Sequence, residues 1–143
     1  GMADSAEFID LLNKVRSPFN VNMAAQRAAL AAWNDPTHMR SGVAMTVALR
    51  EKLRQQLLDL AAPSQPLQGL RIAPSVANFL FLDIGRPNGP VTEALLKQGV
   101  IIKPWKEPGF EHFLRVSIGT EKDNARFVSA LLAAMAQTEA ATA

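Results

Sequence analysis

The chain has 143 residues, of which 48% are hydrophobic and 20% charged, and its formal net charge is +2. This length suits one domain with a real core, and the composition is typical of a globular protein. The small net charge gives no reason to expect nucleic acid or a membrane surface as a partner. The absence of cysteine excludes disulfides and thiolate metal sites and favours a cytoplasmic protein, and no apolar run approaches the roughly 20 residues of a membrane span.

Two helices are predicted at the start of the chain. Residues 5–15 carry apolar side chains at helical spacing, and Pro18 ends the helix because the residue before a proline avoids the helical region. Asn20 or Asn22 can then cap a second helix over residues 21–33, which is rich in alanine.

The third predicted helix, residues 36–62, is the longest, with Asp35 as a natural N-cap and Pro36 in the first position. Its predicted apolar stripe consists of Val43, Val47, Leu49, Leu53, Leu57 and Leu60. Four charged residues lie in its middle: Arg50, Glu51, Lys52 and Arg54. They are interpreted as a solvated face with local ion pairs rather than a basic recognition patch.

After Pro63 the apolar pattern changes from helical to alternating, which marks a boundary between a helical half and a sheet half. Strands are predicted at residues 70–73, 76–84, 100–103 and 112–120, and helices at residues 91–98 and 120–136. The strand at 76–84 is apolar on both faces, which predicts that both are covered. Thr120 and Asp123 resemble a capping box, and the chain from Gln137 onward is expected to fray.

Arg115 is a lone arginine in an otherwise apolar strand. The alternation places Leu114 and Val116 on one face of that strand and Arg115 on the other. A planar guanidinium suits a carboxylate or a phosphate, so the partner is either an anionic ligand or an internal Asp or Glu. A third alternative is an edge strand from which the arginine reaches water. Lys103 closes the preceding strand, where it is either a surface lysine or, if the two strands pair, part of an anion site with Arg115.

Other chemistries find little support in the sequence. The loop GRPNGP, residues 85–90, lacks the spacing of a phosphate-binding loop, and no G-x-S-x-G elbow indicates a serine hydrolase. His38 and His112 are far apart and have no acidic residue at metal-ligand spacing, so no metal site is expected.

Four segments carry a resemblance to a known family: IDLLNKVRSPFNVN (residues 9–22), PSVANFLFLDI (74–84), GVIIKPW (99–105) and FLRVSIGT (113–120). In this order they resemble the C-terminal part of the histidinol-phosphate aminotransferases, which are fold type I enzymes that use pyridoxal 5′-phosphate (PLP). The resemblance extends over essentially the whole chain. It implies a two-layer α/β fold, the small C-terminal domain of a fold type I transferase, with a mixed or antiparallel sheet covered by helices.

The resemblance also implies a domain organisation and a substrate site. Residues 1–35 correspond to helices at the end of the large domain, residues 36–62 to a long interdomain helix, and residues 63–143 to the small C-terminal domain. Arg115 matches the family arginine that binds the anionic group of the substrate, the carboxylate of glutamate or the phosphate of histidinol phosphate. Lys103 stands where the family often has a second phosphate-binding arginine, and the lysine keeps the charge but loses the planar fork. Asn20 is implied to help shape the substrate entrance.

Transamination needs a lysine that forms an aldimine with PLP and an acidic residue at the pyridine nitrogen. The family lysine follows a serine, and none of the six lysines of this chain does. The chain is therefore expected to contain no catalytic or PLP-binding residues and to be inactive alone, as an expressed fragment or a truncated gene product. The complete enzyme is expected to be a cytoplasmic homodimer that transfers an amino group between histidinol phosphate and 2-oxoglutarate in histidine biosynthesis.

Two alternatives remain open. One is an aminotransferase of the same family that acts on an aromatic or another amino acid. The other belongs to a different class, a non-catalytic anion-binding or interaction module.

Overall fold

The computed structural model describes residues 5–17 and 21–140. The chain divides into two compact units, residues 1–41 and 42–143. Within the described residues the elements are, in chain order, α1 (Ala6–Val15), α2 (Met23–Trp33), α3 (Pro36–Ala61), β1 (Arg71–Ile72), β2 (Phe79–Asp83), α4 (Asn88–Lys97), β3 (Lys103–Pro104), β4 (Phe113–Ser117) and α5 (Glu121–Ala140). The predicted α/β fold with a small sheet is confirmed.

Side-chain oxygens cap the first two helices at their N-termini. Ser5 Oγ accepts a hydrogen bond from an α1 backbone N–H at 3.2 Å, and Asn22 Oδ1 accepts one from Ala25 N at 2.8 Å. Of the two asparagines predicted as caps, Asn22 is therefore confirmed, whereas Asn20 lies outside the described residues. Neither α1 over residues 6–15 nor α2 over residues 23–33 has a buried side chain, although α1 carries an apolar stripe.

The long helix α3 begins at its predicted cap, because Asp35 Oδ1 accepts a hydrogen bond from His38 N at 2.9 Å. Leu53 and Leu57, in the C-terminal half of the helix, are buried. Val43 and Val47, which extend the predicted apolar stripe toward the N-terminal half, are exposed. No helix in the described part of the chain has both the length and the apolar character that crossing a membrane requires.

Arg50 corrects the prediction of a solvated charged face on α3. Its side chain is buried, and its Nη1 donates to the carbonyl oxygen of Ala77 at 3.0 Å while its Nε donates to Glu51 Oε1 at 3.0 Å. Charge-assisted hydrogen bonds of this kind offset the desolvation of a guanidinium. The arginine thereby joins α3 to the segment that enters β2, whereas Lys52 remains exposed as predicted.

The sheet is antiparallel and four-stranded, in the order β1-β2-β4-β3. The strands are shorter than predicted, and β3 begins only at Lys103 rather than at Val100. Val100 N donates instead to the carbonyl oxygen of Leu95 at 3.0 Å, which closes the C-terminal turn of α4. This backbone group is therefore used by the helix and is not available to the sheet.

Side-chain hydrogen bonds connect the start of α4 and the last turns of α5 to other parts of the chain. Asn88, buried at the start of α4, donates from Nδ2 to the carbonyl oxygens of Trp105 at 2.8 Å and Phe113 at 2.9 Å. Arg86 Nη1 donates to Met135 O at 3.1 Å near the end of α5. A cation at a helix C-terminus is favourable, and α5 continues to Ala140 through the region predicted to fray from Gln137.

The start of α5 matches the predicted capping box. Thr120 N donates to Asp123 Oδ2 at 3.1 Å, and Asp123 N donates to Thr120 Oγ1 at 3.3 Å. The two residues therefore satisfy each other's backbone donors in the manner that the sequence indicates.

One face of the sheet packs into the core together with helices. Its members include Leu53 and Leu57 of α3, Leu80 and Leu82 of β2, Val91 and Leu95 of α4, Leu114 and Val116 of β4, and Phe127 and Leu131 of α5. This confirms a sheet with helices on one side. The prediction that β2 is covered on both faces is met on one face only within the described residues, because Phe79 and Phe81 on the other face are half-buried.

Candidate anion-binding site

The second face of the sheet carries aromatic and cationic side chains. We call it the open face, and it consists of Phe79 and Phe81 of β2, Lys103 of β3, Phe113 and Arg115 of β4, and Trp105 directly after β3. The register places Phe81 and Lys103 on either side of Arg115, so the three form one row across the sheet. Lys103 and Arg115 therefore lie on paired strands, which is the condition under which the sequence allows them to form one anion site.

Arg115 has no partner for part of its guanidinium. Its Nε is buried and makes no hydrogen bond, and no Asp or Glu among the described residues forms an ion pair with Arg115. The guanidinium carbon lies 5.1 Å from the centroid of the Phe79 ring. Because β4 lies between β2 and β3, the edge-strand alternative is excluded, and the internal carboxylate alternative is unsupported within these residues.

Lys103 adds a second cation to the same row. Its side chain is exposed and has no carboxylate partner in the described part of the chain. Its Nζ lies 4.8 Å from the centroid of the Trp105 ring. Aromatic faces stabilise both cations without neutralising them, which leaves the positive charge available to an anion.

Four aromatic rings support this arrangement, with Phe81 at their centre. The Phe81 ring stacks on Phe113 with centroids 4.8 Å apart and meets Trp105 edge to face at 5.3 Å. Phe110 contacts Phe113 at 5.2 Å. Sequence reasoning did not identify Trp105 or Phe110, since both follow β3 in a loop that has no strand periodicity. The signal that could have found Trp105 is its position two residues after Lys103, which places both side chains on one face if the strand continues.

Asp83, an acidic residue that lies opposite Phe113 on this side of the sheet, already has a partner. Arg71 pairs with Asp83, to which its Nε donates at 3.1 Å, and Gly85 N donates to Asp83 Oδ1 at 2.9 Å. Burial acts to raise the pKa of Asp83, but the hydrogen bonds from Gly85 and Arg71 hold it below its usual value. Asp83 therefore stays ionised with Arg71 as its partner, and Arg115 remains available to a ligand.

Two further predictions concern this site. Asn20 lies outside the described residues. Within residues 5–17 and 21–140, no three His, Asp or Glu side chains are grouped closely enough to hold a metal ion.

The fold and the site define a class of protein, a two-layer α/β domain that presents two unneutralised cations on the open face of its sheet. The family model for aminotransferase class I and II matches residues 1–131, and the chain belongs to this family.

Curated relatives and solved structures agree with this assignment. Histidinol-phosphate aminotransferase 3 of Rhizobium meliloti (strain 1021) is 43% identical over 131 residues, which are 92% of this chain and 33% of the relative. Histidinol-phosphate aminotransferase 1 of Mesorhizobium japonicum is 40% identical over 131 residues, 92% of this chain and 34% of the relative. The chain thus spans about a third of the length of the curated relatives it matches.

A solved structure shares the fold. The crystal structure of histidinol-phosphate aminotransferase from Sinorhizobium meliloti, in complex with pyridoxal-5′-phosphate, has a TM-score of 0.71 and 21% identity. The match covers 90% of this chain and 34% of the solved one. The resemblance to fold type I aminotransferases that the four sequence segments indicate is confirmed.

The described residues do not fit a PLP site. A lysine that forms a Schiff base needs desolvated or cationic surroundings that lower its pKa, yet all six lysines are exposed. Lys52 Nζ lies 2.7 Å from Glu121, and Lys97 Nζ lies 2.9 Å from Glu93. Both of these ammonium groups are therefore already paired with a carboxylate. None of the six lysines therefore lies in surroundings suited to a Schiff base.

Trapping with borohydride tests this conclusion. When the chain is mixed with PLP and reduced, we expect scattered labelling well below one mole per mole, because exposed lysines react slowly and alike. Peptide mass spectrometry would locate the label. Stoichiometric labelling of one lysine, lost on Lys103→Met, would contradict the conclusion and place a cofactor site on the open face.

Proposed function

We propose that the chain is the anion-binding part of a PLP-dependent aminotransferase that acts on histidinol phosphate, with 2-oxoglutarate and glutamate as the other substrate pair. The observation that carries the proposal is the buried Nε of Arg115, which has no hydrogen-bond partner. A buried donor without a partner is costly, and a substrate phosphate or carboxylate would satisfy it. The names of the relatives, each of them a histidinol-phosphate aminotransferase, support the choice of substrate.

The proposal includes a role for each part of the chain. Residues 1–35 would form the last helices of the large domain, and residues 36–62 would form the interdomain helix. Residues 63–143 would form the small domain, with Arg115 and Lys103 as substrate ligands. Asn20 would lie at the joint between the domains. The exposed apolar side chains of α1, among them Phe8 and Leu11, are consistent with a helix that packs against further protein.

PLP would supply the amino-group chemistry in the complete enzyme, held by residues outside those described. We also propose that the complete enzyme is a cytoplasmic homodimer. The contribution of this chain is to bind and orient the anionic end of the substrate, as a guanidinium with a fixed backbone position does well.

A second candidate substrate class is the aromatic amino acids. The rings of Phe81 and Trp105 lie beside Arg115 on the open face, and an aromatic substrate side chain could stack there while Arg115 binds its carboxylate. The two candidates differ in the charge of the group bound at Arg115, a phosphate in one case and a carboxylate in the other.

A hybrid enzyme tests the proposal. Residues 1–131 would replace the matching third of the Rhizobium meliloti relative, and transamination rates would be compared for histidinol phosphate and phenylalanine. We expect a rate with histidinol phosphate within about tenfold of the unmodified relative, which corresponds to about 1.4 kcal/mol at the transition state. A clear preference for phenylalanine would favour the aromatic alternative.

Two readouts make a negative result interpretable. Gel filtration would show whether the hybrid assembles, and the absorbance of bound PLP would show whether the cofactor site is intact. An assembled, PLP-loaded hybrid without activity on either substrate would contradict the proposal and favour a non-catalytic binding module. A second hybrid that transfers only residues 42–131 would serve if the first does not assemble.

A further inference from the structure

The two cations of the open face extend from one row toward opposite ends of the sheet. Arg115 and Lys103 are paired across β4 and β3. The guanidinium of Arg115 lies over Phe79, whose backbone pairs with Ser117 on one side of that row. The ammonium of Lys103 lies over Trp105, whose N–H donates to Phe113 O on the other side of the row. The aromatic contacts therefore separate the two charges.

Trp105 is held firmly, whereas Lys103 is not. Trp105 N donates to Phe113 O at 3.0 Å, and Asn88 Nδ2 donates to Trp105 O at 2.8 Å. The Trp105 ring also meets the Phe81 ring at 5.3 Å. Lys103 is exposed, and it places its ammonium over the indole at the end of a flexible stem. Any rearrangement on ligand binding would therefore move the ammonium and leave the indole in place.

We propose that Trp105 is a positioning residue that sets the charge selectivity of the anion site, because it holds the Lys103 ammonium away from Arg115. This inference rests on the proposed function of Arg115 as the anion ligand. A monoanion bound at Arg115 gains little from a second cation and leaves Lys103 on the indole. A dianion draws Lys103 off the ring and loses the cation–π contact in doing so. Trp105 thereby weakens the binding of phosphate esters and leaves the binding of monoanions unchanged, so the ratio of the two affinities is lower than it would be without the indole.

The expected size of the effect follows from the strength of such contacts. Cation–π contacts at exposed sites correspond to about two- to fivefold in an equilibrium constant. A ligand that must first break the contact has its apparent affinity lowered by the same factor. Removal of the indole should therefore tighten dianion binding by about two- to fivefold.

Two probes of one shape and different charge separate these cases. Methyl phosphate is a dianion at pH 8, since its second pKa is about 6, whereas methanesulfonate is a tetrahedral monoanion. Both would be titrated into the full 143-residue chain, with the Nε–H resonance of Arg115 as the NMR reporter, assigned by its loss in Arg115→Lys. In Trp105→Leu we expect methyl phosphate to bind about two- to fivefold more tightly and methanesulfonate to bind as before. The affinity of Trp105→Phe for methyl phosphate should lie between those of Trp105→Leu and the natural chain.

Lys103→Met provides the matched control. In that background Trp105→Leu should leave the ratio of the two affinities unchanged, since no ammonium remains to be released. If Trp105→Leu changes the affinity for both probes equally, Trp105 acts through general packing and the proposal is overturned. The same holds if Trp105→Leu changes the affinity ratio in the Lys103→Met background as well. Weaker methyl phosphate binding in Trp105→Leu would overturn it as well.

Fluorescence gives a readout that does not need a substitution at Trp105. Trp33→Phe leaves Trp105 as the one tryptophan, because the chain contains two. Lys103→Met and saturation with methyl phosphate should shift its emission in the same direction, since both remove the ammonium from the ring. An emission that responds to Lys103→Met but not to methyl phosphate would contradict the release of Lys103.

The same titrations separate this inference from the proposed function. If neither anion perturbs the Arg115 resonance in any variant, Arg115 is not the anion ligand and the proposed function loses its main support. If both anions bind through Arg115 and Trp105→Leu leaves their affinity ratio unchanged, only the role of Trp105 is wrong.

Discussion

Replacing Arg115 by methionine in the hybrid enzyme is expected to lower kcat/KM for histidinol phosphate by about 30- to 5,000-fold. Truncating one partner of a buried, hydrogen-bonded charge pair costs about 2–5 kcal/mol, and each 1.36 kcal/mol is a factor of ten in rate. Arg115 is suited to such a contact because its Nε is already buried and has no partner to exchange for the ligand. Steady-state rates over a range of histidinol phosphate concentrations provide the measurement.

Arg115→Lys separates the contribution of the positive charge from that of the planar guanidinium. A lysine keeps the positive charge but cannot present two parallel N–H groups to a phosphate or carboxylate. We expect a smaller loss than in Arg115→Met, with much of it in KM, since the binding of the anion weakens in the ground state as well. Arg126→Met is the matched control, because Arg126 is exposed and donates to the Gln98 carbonyl instead of the open face. A loss below about threefold in Arg115→Met, under 1 kcal/mol, would show that Arg115 is not a substrate ligand.

The face of Arg115 could be predicted from sequence, whereas its partner could not. Alternation in β4 correctly separated Arg115 from the buried Leu114 and Val116, because side chains on a strand alternate strictly. Whether the arginine reaches water, a carboxylate or a ligand depends on the strand order. That order is a long-range property, and local periodicity carries no information about β4 lying between β2 and β3.

The ends of the elements were harder to predict for the same reason. Residues 100–102 have strand-forming side chains, but the N–H of Val100 is taken by the last turn of α4. The tail of α5 from Gln137 has no apolar stripe that would predict a longer helix, and Arg86 binds its Thr138 and Glu139 from a loop 52 and 53 residues earlier in the chain. Contacts between residues far apart in sequence override local preference in both places.

The open face shows where family resemblance contributed more than physical reasoning. Periodicity identified one unusual cation, and strand pairing suggested a second, but only the four segments that resemble a known family indicated an aminotransferase. The comparisons confirm the family over residues 1–131. The contact between Lys103 and Trp105 emerged only with the structure, because it depends on how the loop after β3 folds against Phe81.

Leu57→Ala is expected to destabilise the second unit by about 2–5 kcal/mol, the range measured for buried leucine truncations. Leu57 is fully buried on α3 and belongs to the same core as the sheet leucines and α5. Urea unfolding followed by circular dichroism would measure the loss in the free energy of unfolding. The m-value should stay unchanged if unfolding exposes the same amount of surface. Met45→Ala is the matched control, because Met45 lies on the same helix and is exposed, so its truncation should change stability by less than about 0.5 kcal/mol.

Leu57→Ala also tests the proposed domain boundary at residue 63. If residues 36–62 formed a helix independent of the small domain, Leu57→Ala would leave hydrogen exchange at the β4 amides unchanged. We expect faster exchange there, because α3 and β4 share one core and a core truncation lowers the free energy of its opening. The C-terminal half of α3 would then move with the sheet that carries Arg115. A substrate anion bound at Arg115 would in that case be held by a unit that begins near Gly42, where the second compact unit starts.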